Sequence, residues 1–408
     1  MQRETLPSIE TAYSWWLAAL TLLIASIGFG AATCVPILLK PLSREWGAST
    51  AALALAHTFM LVGAGFGGLV FGRMHDRFGF FPLAVIGALA TASGLIAASF
   101  AQGIGDLHLA FGLLVGACGQ GIFFSPLTAA LSQWFDRHRP LAIASAATGQ
   151  SAGGLLFPPL LRIAARDLGW RAALLGFGIV AGGVLLACAL AFRRMPPAGA
   201  QQHRAVVVQE WASLTHRMRI GREPHALLMS LGACLGLFNV ATFLVMGHIT
   251  AAGEELGATP AAAAALLSVM LGASLVTRLG TAQWGLRLGR YRVLVAASVL
   301  HVAGLLWLSF SGSYAATAIG VALIGLGFGA YLPSYAVLAR ELFPVSQAGR
   351  RIAEIYFLGF VAAGAGTWVG GLLRDAAGDY GLAFRFAVFA GAAGLAALLA
   401  QWRALKTV

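Results

Sequence analysis

Arg278 stands in the apolar run Ser274-Leu275-Val276-Thr277-Arg278. It lies roughly nine residues, about 13 Å of helix, short of the polar boundary at Arg287. A cation at the centre of a membrane helix costs about 2.5–3.5 kcal/mol on insertion scales, so it calls for a partner or a purpose. The chemistry it offers is anion recognition, because a planar guanidinium donates to both oxygens of a carboxylate. Two plainer alternatives are snorkelling to the interface, which its depth disfavours, and a structural ion pair. Gln120, Gln150, Asn239, Thr242, Tyr331, Ser334 and Tyr335 also interrupt apolar runs, and we expect them to line a cavity around Arg278. Each could instead bridge two helices, a role worth about 0.6 kcal/mol on average. The run Tyr331-Leu332-Pro333-Ser334-Tyr335 predicts a break in its helix, with freed carbonyls facing the cavity.

The titratable groups at membrane depth are few. His57, His248 and His301 fall inside apolar runs, and no Asp or Glu does. A buried acid is what a cation-export site needs, so that class is disfavoured. His57 and His248, toward the outer ends of their helices, are the candidates for proton coupling and an outer gate. Glu354 is a third candidate, although Arg350 and Arg351 stand beside it as ready ion-pair partners. No nucleophile–base or metal-ligand constellation sits within one helix or loop, so neither an enzyme, a metal nor a cofactor is expected. Cys34, Cys118, Cys188 and Cys234 lie inside predicted helices as small packing residues.

Such groups need a scaffold that holds them away from water. The chain is 59% hydrophobic and 10% charged, against roughly 25% charged in a soluble domain. Its unbroken apolar runs suit helices of about 20 residues and not the alternating segments of a barrel. Twelve spans are expected, near 13–38, 51–71, 82–101, 108–132, 141–164 and 172–192, then 225–249, 260–285, 293–312, 316–339, 352–373 and 383–402. The first run is long enough to span and to be retained. Residues 1–192 and 225–408 form two halves. They are joined by the polar connector 193–224, which carries Pro196-Pro197, six arginines and an amphipathic piece over Val206–Leu214. Nineteen of the 27 Lys and Arg residues lie at the termini and even-numbered loops, and seven lie in or beside the odd-numbered ones. That asymmetry places both termini in the cytoplasm and explains the net charge of +12 without invoking nucleic acid.

The halves repeat. Arg77 and Gly79 recur as Arg287 and Gly289, and Gly119-x-Gly121 recurs as Gly327-x-Gly329. Asp167-x-Gly169 recurs as Asp379-x-Gly381, all at offsets between 208 and 212. A parallel repeat of six helices places a substrate site near midplane between the halves.

Two stretches carry a family resemblance. Gly72-Arg73-Met74-His75-Asp76-Arg77-Phe78-Gly79 resembles the loop signature of the major facilitator superfamily, matching at Gly72, Asp76, Arg77 and Gly79. In that family the loop is a conformational latch, and Arg287 belongs to its second copy. Trp134-Phe135-Asp136-Arg137-His138-Arg139-Pro140-Leu141-Ala142, followed by Gly149-Gln150-Ser151-Ala152-Gly153-Gly154 and Gly169-Trp170-Arg171, resembles the monocarboxylate transporters. The opening of the first helix is reduced to Tyr13-Ser14-Trp15-Trp16, no lysine stands near Cys34–Pro36, and Ser274 occupies the place of the family's helix 8 acid. The resemblance implies an all-α membrane protein of the major facilitator fold, with twelve helices in two six-helix pseudo-repeats. It also implies an arginine of helix 8, here Arg278, that engages a substrate carboxylate. The expected function is secondary active transport of a small organic anion, a monocarboxylate first, by alternating access with proton symport or anion exchange. An exporter of lipophilic drugs or metabolites on the same fold is the alternative, and a non-cycling membrane sensor is a third. The expected setting is a bacterial inner membrane, crossed many times by a monomer. Two lysines against 25 arginines fit a GC-rich bacterial source.

Overall fold

The computed structural model describes residues 8–197, 224–343 and 345–406. Most of the expected connector, including Val206–Leu214, lies outside the described residues. The first half begins with α1 (Ala12–Ala32) and α2 (Cys34–Trp46), followed by α3 (Thr50–Phe78) and α4 (Phe81–Ser99). Next come α5 (Ile104–Leu109), a π-helical stretch over Ala110–Gln120, α6 (Gly121–Phe123) and α7 (Ser125–Ser132). This half ends with α8 (Arg139–Leu168) and α9 (Trp170–Ala191). The second half comprises α10 (Pro224–Glu255), α11 (Pro260–Leu288), α12 (Arg290–Ser309), α13 (Tyr314–Leu342), α14 (Val345–Ala377) and α15 (Gly381–Lys406). Among the described residues, eleven helical segments are long and apolar enough to cross a bilayer. The 30-residue α8, which runs on through Pro158-Pro159, packs among them as the twelfth.

Three expectations about these helices change. The first span is two helices, kinked at Thr33, whose hydroxyl donates to the Gly30 carbonyl at 2.9 Å. The fourth is interrupted by the π stretch and again at Phe124, so Gln120 sits where the helix is wound most loosely. Pro333, in contrast, does not break α13. The helix runs on to Leu342, and the Ser334 hydroxyl folds back onto the Ala330 carbonyl at 2.7 Å. A proline removes one donor from an otherwise paired helix, and neighbouring helices and hydroxyls can absorb that loss in a membrane bundle.

The repeat extends into the turns. Gly47 and Gly257 both have positive φ, 60° and 81°, and are followed by the caps Ser49 and Thr259, whose hydroxyls accept from Ala52 N and Ala262 N. Gly79 and Gly289, at φ 74° and 88°, end the second helix of each half, a conformation open to glycine without a Cβ clash. Gly169 finds its structural counterpart in Gly378, at φ 85° and 83°, and not in Gly381 as the sequence alignment had it.

The halves meet chiefly along α3 against α14 and α8 against α11. Close packing inside each half rests on small residues, as where a Cβ at Gly149 or Gly153 would run into the α1 backbone at Leu22 or Ser26.

Candidate functional site

A cavity of about 50 Å³ lies between the halves. Gln120 and Gln150 from the first half and Asn239 from the second supply its polar lining. Phe29, Phe124, Phe243, Phe328 and Phe360 supply most of the rest, with Tyr356 and Leu332 beside them. Gln120 donates to the Gly28 carbonyl, which fixes its amide across the first span. Arg278 is not itself in the lining but lies behind two lining residues, Phe328 and Gln150; it is 9% exposed, with its guanidinium 5.2 Å from the centre of the Phe328 ring. It crosses to the other half, donating through Nη1 to the Ala147 carbonyl at 2.7 Å and, more weakly, to Gln150 Oε1 at 3.4 Å. Its Nε–H has no partner. Among the described residues no carboxylate lies within ion-pair distance of it. The position of the missing helix 8 acid is filled by the hydroxyl pair Ser151–Ser274, at 2.9 Å.

Of the other expected lining residues, Tyr331 and Thr242 form a second layer. The Tyr331 hydroxyl donates to Asn239 Oδ1 at 3.1 Å and lies 2.7 Å from the Thr242 hydroxyl. Asn239 Nδ2 donates to the Gly359 carbonyl at 3.0 Å, so the amide facing the cavity is held from both sides. His301 touches the same layer, 3.3 Å from Thr242 Oγ1. Ser334 and Tyr335 do not reach the cavity. With α13 intact, the Ser334 hydroxyl is spent on its own helix, and Tyr335 is buried with its hydroxyl unpartnered.

His57 and His248 converge on Thr367 of α14. His248 Nε2 lies 2.8 Å from the Thr367 carbonyl, and His57 Nδ1 lies 3.5 Å from its hydroxyl. Both rings are buried, between the cavity and the end of the bundle marked by Glu254. Glu354 is held by Arg350 at 2.8 Å and Arg351 at 3.0 Å on its own helix.

The Glu254 end is where the halves close on one another. Asp375 of α14 accepts from the Thr50 and Ala51 amides at 3.0 and 2.8 Å, capping α3 across the divide. The Thr58 hydroxyl donates to the Gly364 carbonyl at 2.8 Å. Arg162 of α8 pairs with Glu254 of α10, with both side chains buried. Sequence reading missed this pair, because each residue falls at or just beyond an expected helix end, where charges belong in loops.

At the opposite end, marked by Arg77, the expected latch loop is instead the last two turns of α3, closed by Gly79, with His75 buried and Asp76 to Gly79 exposed. Gly72 has open space above it, Asp76 is exposed, and Arg77 lies over the Phe78 ring at 5.1 Å. Arg287 is exposed beside Gly289. Here too the chain before α1 is tied to the loop before α8. Glu10 accepts from the Asp136 and His138 amides at 3.1 and 2.6 Å and pairs with His138 Nδ1 at 2.6 Å, while the Ser8 hydroxyl donates to Asp136 at 2.8 Å. Burial pushes the Glu10 carboxyl upward. The donors from His138 and Asp136 outweigh it and hold the group below its usual range.

A bundle of apolar helices in two pseudo-repeats, with a cavity at their interface, defines a membrane transporter. The family model described as Major Facilitator Superfamily matches residues 18–251 and 228–407. The chain belongs to that superfamily and is a transporter, not an enzyme. It is 29% identical over 324 residues to the MFS transporter asaE of Aspergillus flavus, covering 77% of this chain and 69% of that one. It is 28% identical over 321 residues to monocarboxylate transporter 13 of Bos taurus, covering 78% and 73% respectively. Within the superfamily it therefore resembles the monocarboxylate transporters. Among solved structures, a D-xylose-proton symporter superposes with a TM-score of 0.75 at 17% identity, over 96% of this chain and 98% of that one. An inward-facing, occupied bacterial homologue of the human lysosomal transporter Spinster gives 0.69 at 14% identity, over 97% and 96%. At those identities the likeness concerns the fold.

Proposed function

We propose that this chain carries a small organic anion, a monocarboxylate first, by alternating access, with Arg278 as the anchor for the carboxylate. The observation that carries the reading is a buried guanidinium packed behind Phe328 and Gln150 of an inter-half cavity, with its Nε–H unpartnered and, among the described residues, no carboxylate beside it. Leaving a buried charge unpaired costs several kcal/mol. An arriving carboxylate supplies the missing partner and recovers that energy. Gln120, Gln150 and Asn239 orient the remainder of the substrate, and Tyr331 and Thr242 hold Asn239 in place. The names of the relatives support this substrate class, since several are monocarboxylate transporters.

Residues 1–192 and 225–408 rock as two bodies about this site. The excess of Lys and Arg supports a cytoplasmic Arg77 end, with both termini on that side of a bacterial inner membrane. The sealed Glu254 end is then external, and the conformation is inward-facing. Coupling is by proton symport or anion exchange, with His57 and His248, at the closed side of the cavity, as the titratable groups that change surroundings when the seal opens. The protein works as a monomer, with the end of α3 at Gly72–Gly79 and Arg287 forming the counter-latch when the Arg77 end closes.

A second reading has one observation in its favour. Five phenylalanines in the lining suit an apolar substrate body, as an exporter of lipophilic compounds would require. Uptake of labelled lactate, pyruvate, oxalate and aromatic acids into proteoliposomes separates the two readings. Saturable entry of one of these acids supports the anion carrier, and entry driven by an imposed pH gradient supports symport over exchange. Entry of none of them, with transport of uncharged lipophiles, supports the exporter.

A further inference from the structure

Arg162 differs from every other arginine near the Glu254 end. Arg166 pairs with Asp167, its neighbour in α8, Arg171 pairs with Glu45 within the first half, and Arg374 pairs with Glu255 within the second. These three side chains are 59%, 43% and 32% exposed, while Arg162 and Glu254 are 5% and 7% exposed. Among the ion pairs of the described residues, Arg162–Glu254 is the one that crosses from one half to the other. Its guanidinium touches the carboxylate through Nη2, and its Nε–H is buried without a partner. The planar fork therefore has room for a fuller, two-point carboxylate contact than Glu254 provides.

Arg162 and Gln150 lie on the same helix, α8, which also carries the Ala147 carbonyl that holds Arg278. Twelve residues separate Arg162 from Gln150, about 18 Å of helix. When the Glu254 end opens, α8 and α10 must part, because they belong to opposite halves. Arg162 is then a cation on the wall of the entrance, about 18 Å along α8 from the cavity's Gln150, stripped of the carboxylate that covered it. We propose that Arg162 is a second carboxylate-binding station at this entrance, and that Glu254 is the tethered carboxylate that occupies it when the end is sealed. The substrate anion replaces Glu254 on Arg162 and moves on toward Arg278, and Glu254 reclaims Arg162 as the halves close behind it. A tethered competitor of this kind acts at high effective concentration, so the station releases its anion when the geometry of closure returns Glu254. The proposal rests on the anion-carrier reading above.

Two neutral variants separate a station from a simple lock. A lock is broken equally by Arg162→Gln and Glu254→Gln. Each leaves one buried charge unpaired in the sealed state, and each shifts the population toward the open state in the same direction. A station responds to them with opposite signs. Initial rates of labelled carboxylate entry are measured from the Glu254 face and, in inverted vesicles, from the Arg77 face. We expect Arg162→Gln to raise the entry KM from the Glu254 face by about tenfold, the size of one lost charge-assisted hydrogen bond. Glu254→Gln lowers that KM below the wild-type value, Arg162→Lys raises it by less than Arg162→Gln because the charge stays but the fork is lost, and the KM from the Arg77 face changes less in every case. Equal shifts of the same sign in both neutral variants, with wild-type carboxylate transport intact, overturn the station and leave Arg278 untouched. A wild type that carries no carboxylate overturns the underlying reading and the station together. If Arg162→Gln does not fold, Arg162→Met, which keeps the apolar stem, is read in its place: a raised KM beside the lowered KM of Glu254→Gln supports the station, and shifts of the same sign overturn it.

Discussion

Arg278 of the second half donates to the Ala147 carbonyl of the first at 2.7 Å, one turn of helix from Gln150, which lines the cavity. The guanidinium proposed as the anion anchor is thus also a bond between the two halves. On that proposal, an anion bound at Arg278 acts directly on a contact between them.

The proposed positioning of Asn239 by Tyr331 can be tested by removing one oxygen. Tyr331→Phe leaves Asn239 Oδ1 without its donor, at a cost of about 1–3 kcal/mol, while the Thr242 hydroxyl keeps its bond to the Phe238 carbonyl. The expected outcome is a several-fold rise in KM with normal membrane insertion. Thr242→Val should do the same to a smaller degree. Unchanged KM in both would show that the layer behind Asn239 does not position it.

The cap that Asp375 places on α3 holds the Glu254 end shut from across the divide. Asp375→Asn removes the charge from a helix N-terminus, an interaction worth about 0.3–1 kcal/mol. That multiplies the open population by about two- to fivefold. In a background lacking Cys34, Cys118, Cys188 and Cys234, a cysteine at Leu61, in the cavity wall, should be alkylated faster by an impermeant reagent added at the Glu254 face. Equal alkylation rates with and without the substitution would contradict the assignment.

The clasp of Glu10 on the loop before α8 should make stability depend on pH. Its carboxyl is held low in the folded state, so the stabilisation is present above the unfolded-state value of about 4.3 and is lost as pH falls through the folded-state value. Wild type should therefore melt above Glu10→Gln near neutral pH, and the gap should close in acid. A gap of constant width from pH 7 to pH 3 would contradict the clasp.

Close packing of α1 on α8 leaves no room at Gly153. Gly153→Val should destabilise the purified protein by about 1–3 kcal/mol, read as a lower melting temperature in detergent. An unchanged melting temperature would mean that the helices can separate there without loss.

Much of this arrangement was legible in the residues themselves. Membrane depth made Arg278 conspicuous, and the same logic found Gln120, Gln150 and Asn239, because a polar group in an apolar run needs a reason. The phenylalanines of the cavity were hidden among 25, where burial in a core and exposure to a cavity or lipid look alike in sequence. Arg162 and Glu254 were hidden for another reason. Glu254 lies five residues beyond the expected end at 249, whereas α10 continues to Glu255; Arg162, two residues inside the expected end at 164, counts in sequence with the charges of the loop that follows. Pro333 misled in the opposite direction, since the bundle around α13 supports a helix that local propensity would end.

The most direct measurement is initial-rate uptake of a transported carboxylate by wild type, Arg278→Lys and Arg278→Ala in the same proteoliposomes. Loss of uptake in Arg278→Ala, with partial retention in Arg278→Lys because a point charge replaces a fork, is what anion anchoring requires. Uptake in Arg278→Ala at the wild-type rate and KM would contradict it, and would leave Arg278 as a structural tie to Ala147.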